Sequence, residues 1–143
     1  MKWESAKIRN IGLYGHSGAG KTSLAESALY IAKATDRLGR VADGTSFLDF
    51  EAEEIHKGIS LFTSFGHVEW NKHKVNIIDT PGDSNFAADA RDSMMAADAV
   101  IIVVDSVEGV KVQTEKAFLL AKSLRYPCLF LSTSSTKNMP TWI

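Results

Sequence analysis

The stretch that decides the fold is a glycine-rich octapeptide, Gly15-His16-Ser17-Gly18-Ala19-Gly20-Lys21-Thr22. It fits the pattern G-x-x-x-x-G-K-[ST] at every fixed position. Residues 8–14 precede it as an apolar run that predicts a strand, and residues 21–34 follow it with the apolar spacing of a helix. A strand, a glycine-rich turn and a helix form the context in which this pattern binds a phosphate.

The octapeptide carries the residue types that a phosphate and a divalent cation need. Its glycines let successive backbone N–H groups face an anion, and the helix that follows adds its positive N-terminal dipole. Lys21 is predicted to bridge the β- and γ-phosphates, and the Thr22 hydroxyl is predicted to coordinate Mg²⁺. The predicted phosphate-contacting residues are His16, Ser17, Gly18, Ala19, Gly20, Lys21, Thr22 and Ser23. The alternative is a glycine-rich turn without a ligand, and His16, at a free position of the pattern, is given no catalytic role.

A second motif, Asp79-Thr80-Pro81-Gly82, follows the apolar residues 74–78. Because the carboxyl ends of parallel strands meet at one edge of a sheet, we expect Asp79 to emerge beside the octapeptide. There it could hold Mg²⁺ through water, while the Gly82 N–H could approach a γ-phosphate closely. Taken alone, D-x-P-G is also the sequence of an ordinary turn.

The rest of the chain alternates between strand and helix patterns. Residues 59–70 and 74–78 predict a hairpin, and residues 35–57 predict a long loop. A helix is predicted at 85–96, a buried strand at 99–104, a helix at 113–124 and a strand at 127–131. This order predicts an α/β P-loop NTPase fold with a mostly parallel sheet flanked by helices, incomplete at its C-terminal end.

Composition and charge exclude several classes of protein. The 143 residues, 45% of them hydrophobic, suffice for one globular domain. A net charge of −1 offers no general basic surface, so we expect no direct nucleic-acid binding by this segment. We expect no membrane association, because residues 1–10 lack a signal-peptide core and no apolar run is long enough to span a bilayer. Cys128 is the single cysteine, which excludes an internal disulfide and favours the cytoplasm.

The loop between the two motifs narrows the comparison to one group of proteins. Residues 49–60 read D-F-E-A-E-E-I-H-K-G-I-S and are similar to the first switch of elongation factor G, D-x-x-x-x-E-x-x-[RK]-G-I-[TS]. Residues 98–115 also resemble that factor and its paralogues, so that the resemblance covers residues 7–131. It implies the G domain of a longer, ribosome-associated GTPase that uses GTP and Mg²⁺. It also implies that Ser60 is a metal ligand alongside Thr22 and Asp79.

Three positions depart from the family pattern. Gly18 stands where these factors usually have Asp, and Ser60 where most have Thr. Asp83 replaces the histidine that positions the attacking water, which leaves Lys21, Gly82 and Asp83 as the predicted catalytic residues. The change implies a paralogue rather than the main translocase, with altered or slow hydrolysis. A solvated loop acid is the alternative role for Asp83.

The segment after residue 131 lacks the expected N-K-x-D, whose Asp would recognise guanine. Residues 132–135 are S-T-S-S instead. Synonymous codons exist for residues 132–143 that, read one base upstream, encode V-N-K-L-D-K-E-H-A-D-L-D. We therefore predict a partial GTP-binding domain over residues 1–131 and a frameshifted, disordered tail over 132–143, the alternative being a genuine divergent end. Without that motif the segment could also be a non-hydrolysing phosphate-binding fragment without base specificity, whereas the switch-like loop argues against an ATP-using P-loop kinase.

Overall fold

A computed structural model describes residues 3–133 of the chain. Short 3₁₀ turns occur at Ser5–Lys7, Val41–Asp43 and Ser84–Phe86. The strands and helices, in chain order, are β1 Ile8–Tyr14, α1 Lys21–Ile31, α2 Ala52–Lys57, β2 Ser64–Trp70, β3 His73–Asp79, α3 Ala87–Met94, β4 Ala99–Asp105, α4 Val112–Ser123 and β5 Cys128–Thr133. Within residues 3–133, no helix is long and apolar enough to cross a membrane.

The strands form one sheet in the order β2-β3-β1-β4-β5. β1 pairs in parallel with both β3 and β4, and β4 pairs in parallel with β5. β2 is antiparallel to β3, to which it is joined through Asn71 and Lys72, both with positive φ. The predicted α/β fold with a mostly parallel sheet and a hairpin is confirmed.

Each face of the sheet has its own core. α1 covers one face through Ala25 and Leu29, which pack with Leu13 and Ile77. On the other face Met94 of α3 and Ala121 of α4 pack with residues of β1 and β4. Because β1, β3 and β4 run in parallel, the segments that follow them all emerge at one edge of the sheet.

Part of the predicted long loop is helical. α2, Ala52–Lys57, lies inside the segment 35–57 that was predicted to be irregular. Glu51 and Glu54 form a capping box at its start, and Gly58 ends it in the left-handed conformation with a φ of 64°. These local signals stabilise a helix of only six residues that apolar periodicity does not reveal.

Other element boundaries differ from the prediction by a few residues. α1 ends at Ile31, near Lys33, which has a φ of 58°. A 3₁₀ turn occupies the start of the predicted helix at 85–96, so that α3 begins only at Ala87. β5 continues to Thr133, two residues into the predicted tail, because Ser132 and Thr133 pair with Val104 and Asp105 of β4. Residues 134–143, which carry the rest of that tail, lie outside the described residues.

Candidate functional site

The glycine-rich loop between β1 and α1 has a conformation that requires glycine at its two ends. Gly20 has a φ of 91° and immediately precedes α1. A Cβ at Gly15 would lie 2.3 Å from the carbonyl oxygen of Val103, so no side chain fits there. The loop therefore turns tightly against β4 and enters the helix at Lys21, with the N-terminus of α1 facing the site.

Lys21 lies across this loop with only 5% of its surface exposed. Its Nζ donates hydrogen bonds to the carbonyl oxygens of Gly15, at 3.2 Å, and His16, at 2.9 Å. Burial lowers the pKa of the Lys21 ammonium, while the nearby carboxylates of Asp79 and Asp49 act to raise it. The side chain thus places a cationic group at the mouth of the loop, where an anion would favour the charged form.

The hydroxyl groups predicted to bind the metal lie together. Thr22 Oγ1 and Ser60 Oγ are 3.0 Å apart, although they are 38 positions apart in the sequence. Ser60 Oγ also donates a hydrogen bond of 2.7 Å to Oδ1 of Asp49. The loop that contains Asp49 and Ser60 is consequently closed onto the start of α1.

Asp79 is buried beside these hydroxyls, with 1% of its surface exposed. Neither of its carboxylate oxygens has a hydrogen-bond partner among residues 3–133, and the same is true of Oδ2 of Asp49. Burial raises the pKa of Asp79 to about 7, against the lowering effects of Thr22 and Lys21. Unpaired buried carboxylate oxygens next to two hydroxyls are the donor set that Mg²⁺ prefers, so these residues fit a bound Mg²⁺.

Gly82 brings the second motif against the phosphate loop. Ser17 N donates a hydrogen bond of 3.1 Å to the carbonyl oxygen of Gly82. A Cβ at Gly82 would lie 2.4 Å from Ser17 N and 2.5 Å from Lys21 Nζ. Only glycine permits this approach, in which the Gly82 carbonyl oxygen accepts from the Ser17 N–H of the phosphate loop.

A cavity of about 120 Å³ lies where these segments meet. The predicted site residues among its lining are Ser17, Gly18, Gly20, Lys21, Thr22, Ser23, Ser60 and Gly82. Four other predicted residues lie outside that lining: His16, Ala19, Asp79 and Asp83. The structure thus places most of the predicted phosphate and metal residues around one space.

Three of these four residues, all except Asp79, have other surroundings. The buried His16 donates from Nδ1 to the carbonyl oxygen of Ser17 at 2.6 Å, which occupies one of its two ring nitrogens. The carbonyl oxygen of Ala19 accepts a hydrogen bond of 2.8 Å from Thr133 Oγ1. Asp83 is half-buried, and its carboxylate accepts from Asn85 N at 2.8 Å, capping the turn at Ser84–Phe86. Asp83 also lines a separate cavity of about 400 Å³ between α3 and α4.

Two buried glutamates that the sequence prediction missed hold the loop in place. Glu26 is fully buried and accepts from Ser46 Oγ, Phe47 N and Leu48 N at 2.6–3.1 Å. Glu54 accepts from the backbone N–H groups of the two residues that follow Ser60. Glu26 stands one helical turn after Thr22 on the buried face of α1, and this acid on an apolar face is a signal that sequence inspection can find.

Comparison with known proteins identifies relatives that match most of this chain. The family described as "Elongation factor Tu GTP binding domain" matches residues 6–133. The chain is 38% identical over 123 residues to "Ribosome-releasing factor 2, mitochondrial" of Candida albicans, a match that covers 86% of this chain and 15% of that protein. It is 36% identical over 126 residues to "Elongation factor G" of Dehalococcoides mccartyi, a match that covers 88% of this chain and 18% of that protein.

Solved structures agree with the sequence comparison. A crystal structure of a Thermus thermophilus protein superposes with a TM-score of 0.85 and 35% identity, over 90% of this chain and 19% of the other. A bacterial selenocysteine-specific elongation factor superposes with a TM-score of 0.69 and 26% identity, over 88% of this chain and 19% of the other. The chain thus spans less than a fifth of the length of these relatives, and the predicted resemblance to elongation factor G and its paralogues is confirmed. The chain therefore belongs to the family of the elongation factor Tu GTP-binding domain, as a G domain similar to that of elongation factor G.

Proposed function

We propose that this G domain binds GTP together with Mg²⁺ and hydrolyses it slowly, as part of a longer translational GTPase. One observation supports this most strongly. Lys21, Thr22 and Ser60 meet around one cavity, and the buried carboxylate of Asp79 lies beside it with both oxygens unpaired among residues 3–133. Such an arrangement is costly for a protein that binds nothing there, since each buried unpaired oxygen loses its hydration.

Each residue has a distinct role in the proposed complex. Backbone N–H groups of the loop and the N-terminus of α1 would surround the β-phosphate, and Lys21 would contact the β- and γ-phosphates. Thr22 and Ser60 would hold the metal through their hydroxyls and Asp79 through water, while the Gly82 N–H would face the γ-phosphate. The bound Mg²⁺ would neutralise charge that develops on the phosphate oxygens.

Asp83 limits the rate of hydrolysis in this proposal, because it stands where the family has a histidine. Its carboxylate is engaged with Asn85 N, and a second negative charge near a γ-phosphate is unfavourable. We therefore expect the substitution Asp83→His to raise the single-turnover rate of phosphate release by at least about tenfold. Equal rates for the wild type and Asp83→His, with equal GTP affinity, would contradict this role.

Guanine selectivity is a separate question, because residues 132–133 continue β5 where the family has the start of N-K-x-D. We propose that this segment is the product of a frameshift. As it stands, the chain should bind GTP, ATP and inosine triphosphate with equal affinity. Replacing residues 132–143 by V-N-K-L-D-K-E-H-A-D-L-D should create a preference for GTP of at least about tenfold, the scale of recognition by paired hydrogen bonds.

Two results would contradict the frameshift proposal. Strong GTP preference by the unaltered chain would show that guanine recognition does not need the missing motif. A nucleotide sequence in which neither neighbouring frame encodes N-K-x-D after β5 would favour a genuine divergent end.

The partner of the full-length protein is proposed from its relatives. The relatives are named as elongation factor G and ribosome-releasing factor 2, and the chain covers only 15–18% of those two proteins. We propose that the full-length protein works on the ribosome in the cytoplasm, through domains outside this segment. Co-sedimentation of the full-length protein with ribosomes in the presence of a GTP analogue, and its absence with GDP, would test this.

A further inference from the structure

Two carboxylates from different helices hold three consecutive backbone N–H groups. Oε1 of Glu54, in α2, accepts from Leu61 N at 2.9 Å and Phe62 N at 3.2 Å. Oδ2 of Asp89, in α3, accepts from both Thr63 N and Thr63 Oγ1 at 2.7 Å. The tripeptide 61–63 is thus fixed to α2, which precedes Ser60, and to α3, which follows Gly82.

This tripeptide lies between two parts of the proposed site. Residue 61 directly follows Ser60, whose hydroxyl lies 3.0 Å from that of Thr22 at the proposed metal site. α3 begins five residues after Gly82, which lies against Ser17 of the phosphate loop. Asp89 and Thr63 therefore join the loop that contains Ser60 to the helix that continues from Gly82, at a point outside the cavity itself.

The contact is more specific than a chance surface pair. A single carboxylate oxygen receives a backbone and a hydroxyl donor from the same residue, which fixes the position of that residue relative to α3. By contrast, Asp92 on the exposed side of the same helix contacts its neighbour Arg91. Asp92 therefore offers a matched control for the loss of a negative charge from α3.

We infer that Asp89 is a positioning residue which, through Thr63, keeps Ser60 at the metal site when the Gly82 segment engages a γ-phosphate. This inference rests on the proposed function, because it requires a nucleotide to bind in the cavity. It predicts that Asp89 stabilises the triphosphate complex selectively, since GDP has no γ-phosphate to engage the Gly82 segment. A purely structural role for Asp89 would change the binding of both nucleotides alike.

The test uses the 143-residue chain with the variants Asp89→Ala, Thr63→Val and Asp92→Ala. Affinities for a non-hydrolysable GTP analogue and for GDP are measured with Mg²⁺, and amide hydrogen exchange is followed at residues 58–64 without nucleotide. Asp89→Ala should weaken binding of the GTP analogue by about tenfold, or 1.4 kcal/mol, the scale of a charged hydrogen bond. GDP affinity should change less than about twofold, and the Thr63 amide should exchange faster.

The other variants complete the test. Thr63→Val keeps the backbone donor and loses the hydroxyl, so it should weaken binding of the GTP analogue by about threefold. In the double variant it should add little to the loss of affinity caused by Asp89→Ala. Asp92→Ala should leave both affinities within about twofold. The inference would be overturned if both variants lost affinity equally for the GTP analogue and for GDP, or if neither variant lost affinity for the analogue. If the wild type binds neither nucleotide, the proposed function fails first and this inference fails with it.

Discussion

Replacing Asp79 by Asn tests the electrostatics of the site without removing its shape. Burial raises the pKa of Asp79 from 3.8 to about 7 in the protein without nucleotide. At about 1.36 kcal/mol for each pKa unit, ionised Asp79 destabilises the fold by about 4 kcal/mol near neutral pH. Asparagine avoids this cost, in which the attraction of Lys21 is already included, but its amide group would be buried where the carboxylate oxygens of Asp79 have no partner among residues 3–133. We therefore expect Asp79→Asn to stabilise the nucleotide-free chain by about 2 kcal/mol.

The pH dependence of this gain has a defined sign. Because the folded pKa of Asp79 lies above its unfolded value, the folded chain retains a proton between about pH 4 and pH 7 that the unfolded chain releases. The destabilisation by Asp79 therefore grows as pH rises through this window. Thermal unfolding in EDTA should show a melting temperature about 5 °C higher for Asp79→Asn at pH 8, and no gain at pH 5, where the cost of ionising Asp79 has fallen below about 2 kcal/mol.

A control and a binding measurement complete this experiment. Asp92→Asn removes an exposed carboxylate and should leave the melting temperature within about 1 °C. Despite its greater stability, Asp79→Asn should lose the Mg²⁺ dependence of GTP binding. A variant that is less stable at pH 8, or whose gain is the same at pH 5 and pH 8, would refute the assignment of Asp79 as a buried, unpaired acid.

Three further substitutions test separate contacts. Gly82→Ala would place a Cβ 2.4 Å from Ser17 N, so GTP affinity should fall more than about tenfold while a circular dichroism melt still shows a folded chain. Glu26→Ala would leave backbone donors of the buried loop unpaired and should cost about 3 kcal/mol in urea unfolding; a loss under about 1 kcal/mol would show that the loop is not anchored there. Thr133→Val removes the hydroxyl bond to the Ala19 carbonyl and should weaken GTP binding about threefold, with unchanged affinity as the contrary result.

The parts of the fold that the sequence predicts are those with local chemical signals. The octapeptide requires a strand before it and a helix after it, and β1 and α1 lie there. Asp79 could be placed beside Lys21 because parallel strands end at the same edge of a sheet. These two motifs carry most of the candidate site, so the residues proposed to bind phosphate and metal could be identified from the sequence.

What the sequence did not reveal depends on contacts between distant segments. α2 has six residues, too few for apolar periodicity, and its local indications are the capping box at its start and Gly58 at its end. The role of Glu26 depends on a loop 20 positions later in the chain, and that of Asp89 on a residue 26 positions earlier. Such pairs depend on the folded arrangement of the chain and have no local signal in the sequence.

We propose that the cavity between the phosphate loop, Ser60 and Gly82 binds a nucleoside triphosphate and Mg²⁺. The most direct measurement is a calorimetric titration of the wild-type chain with a non-hydrolysable GTP analogue, first with Mg²⁺ and then with EDTA. The proposed site predicts saturable binding at one site per chain that weakens at least about tenfold when Mg²⁺ is removed. Absence of saturable binding, or an affinity unchanged by EDTA, would contradict it.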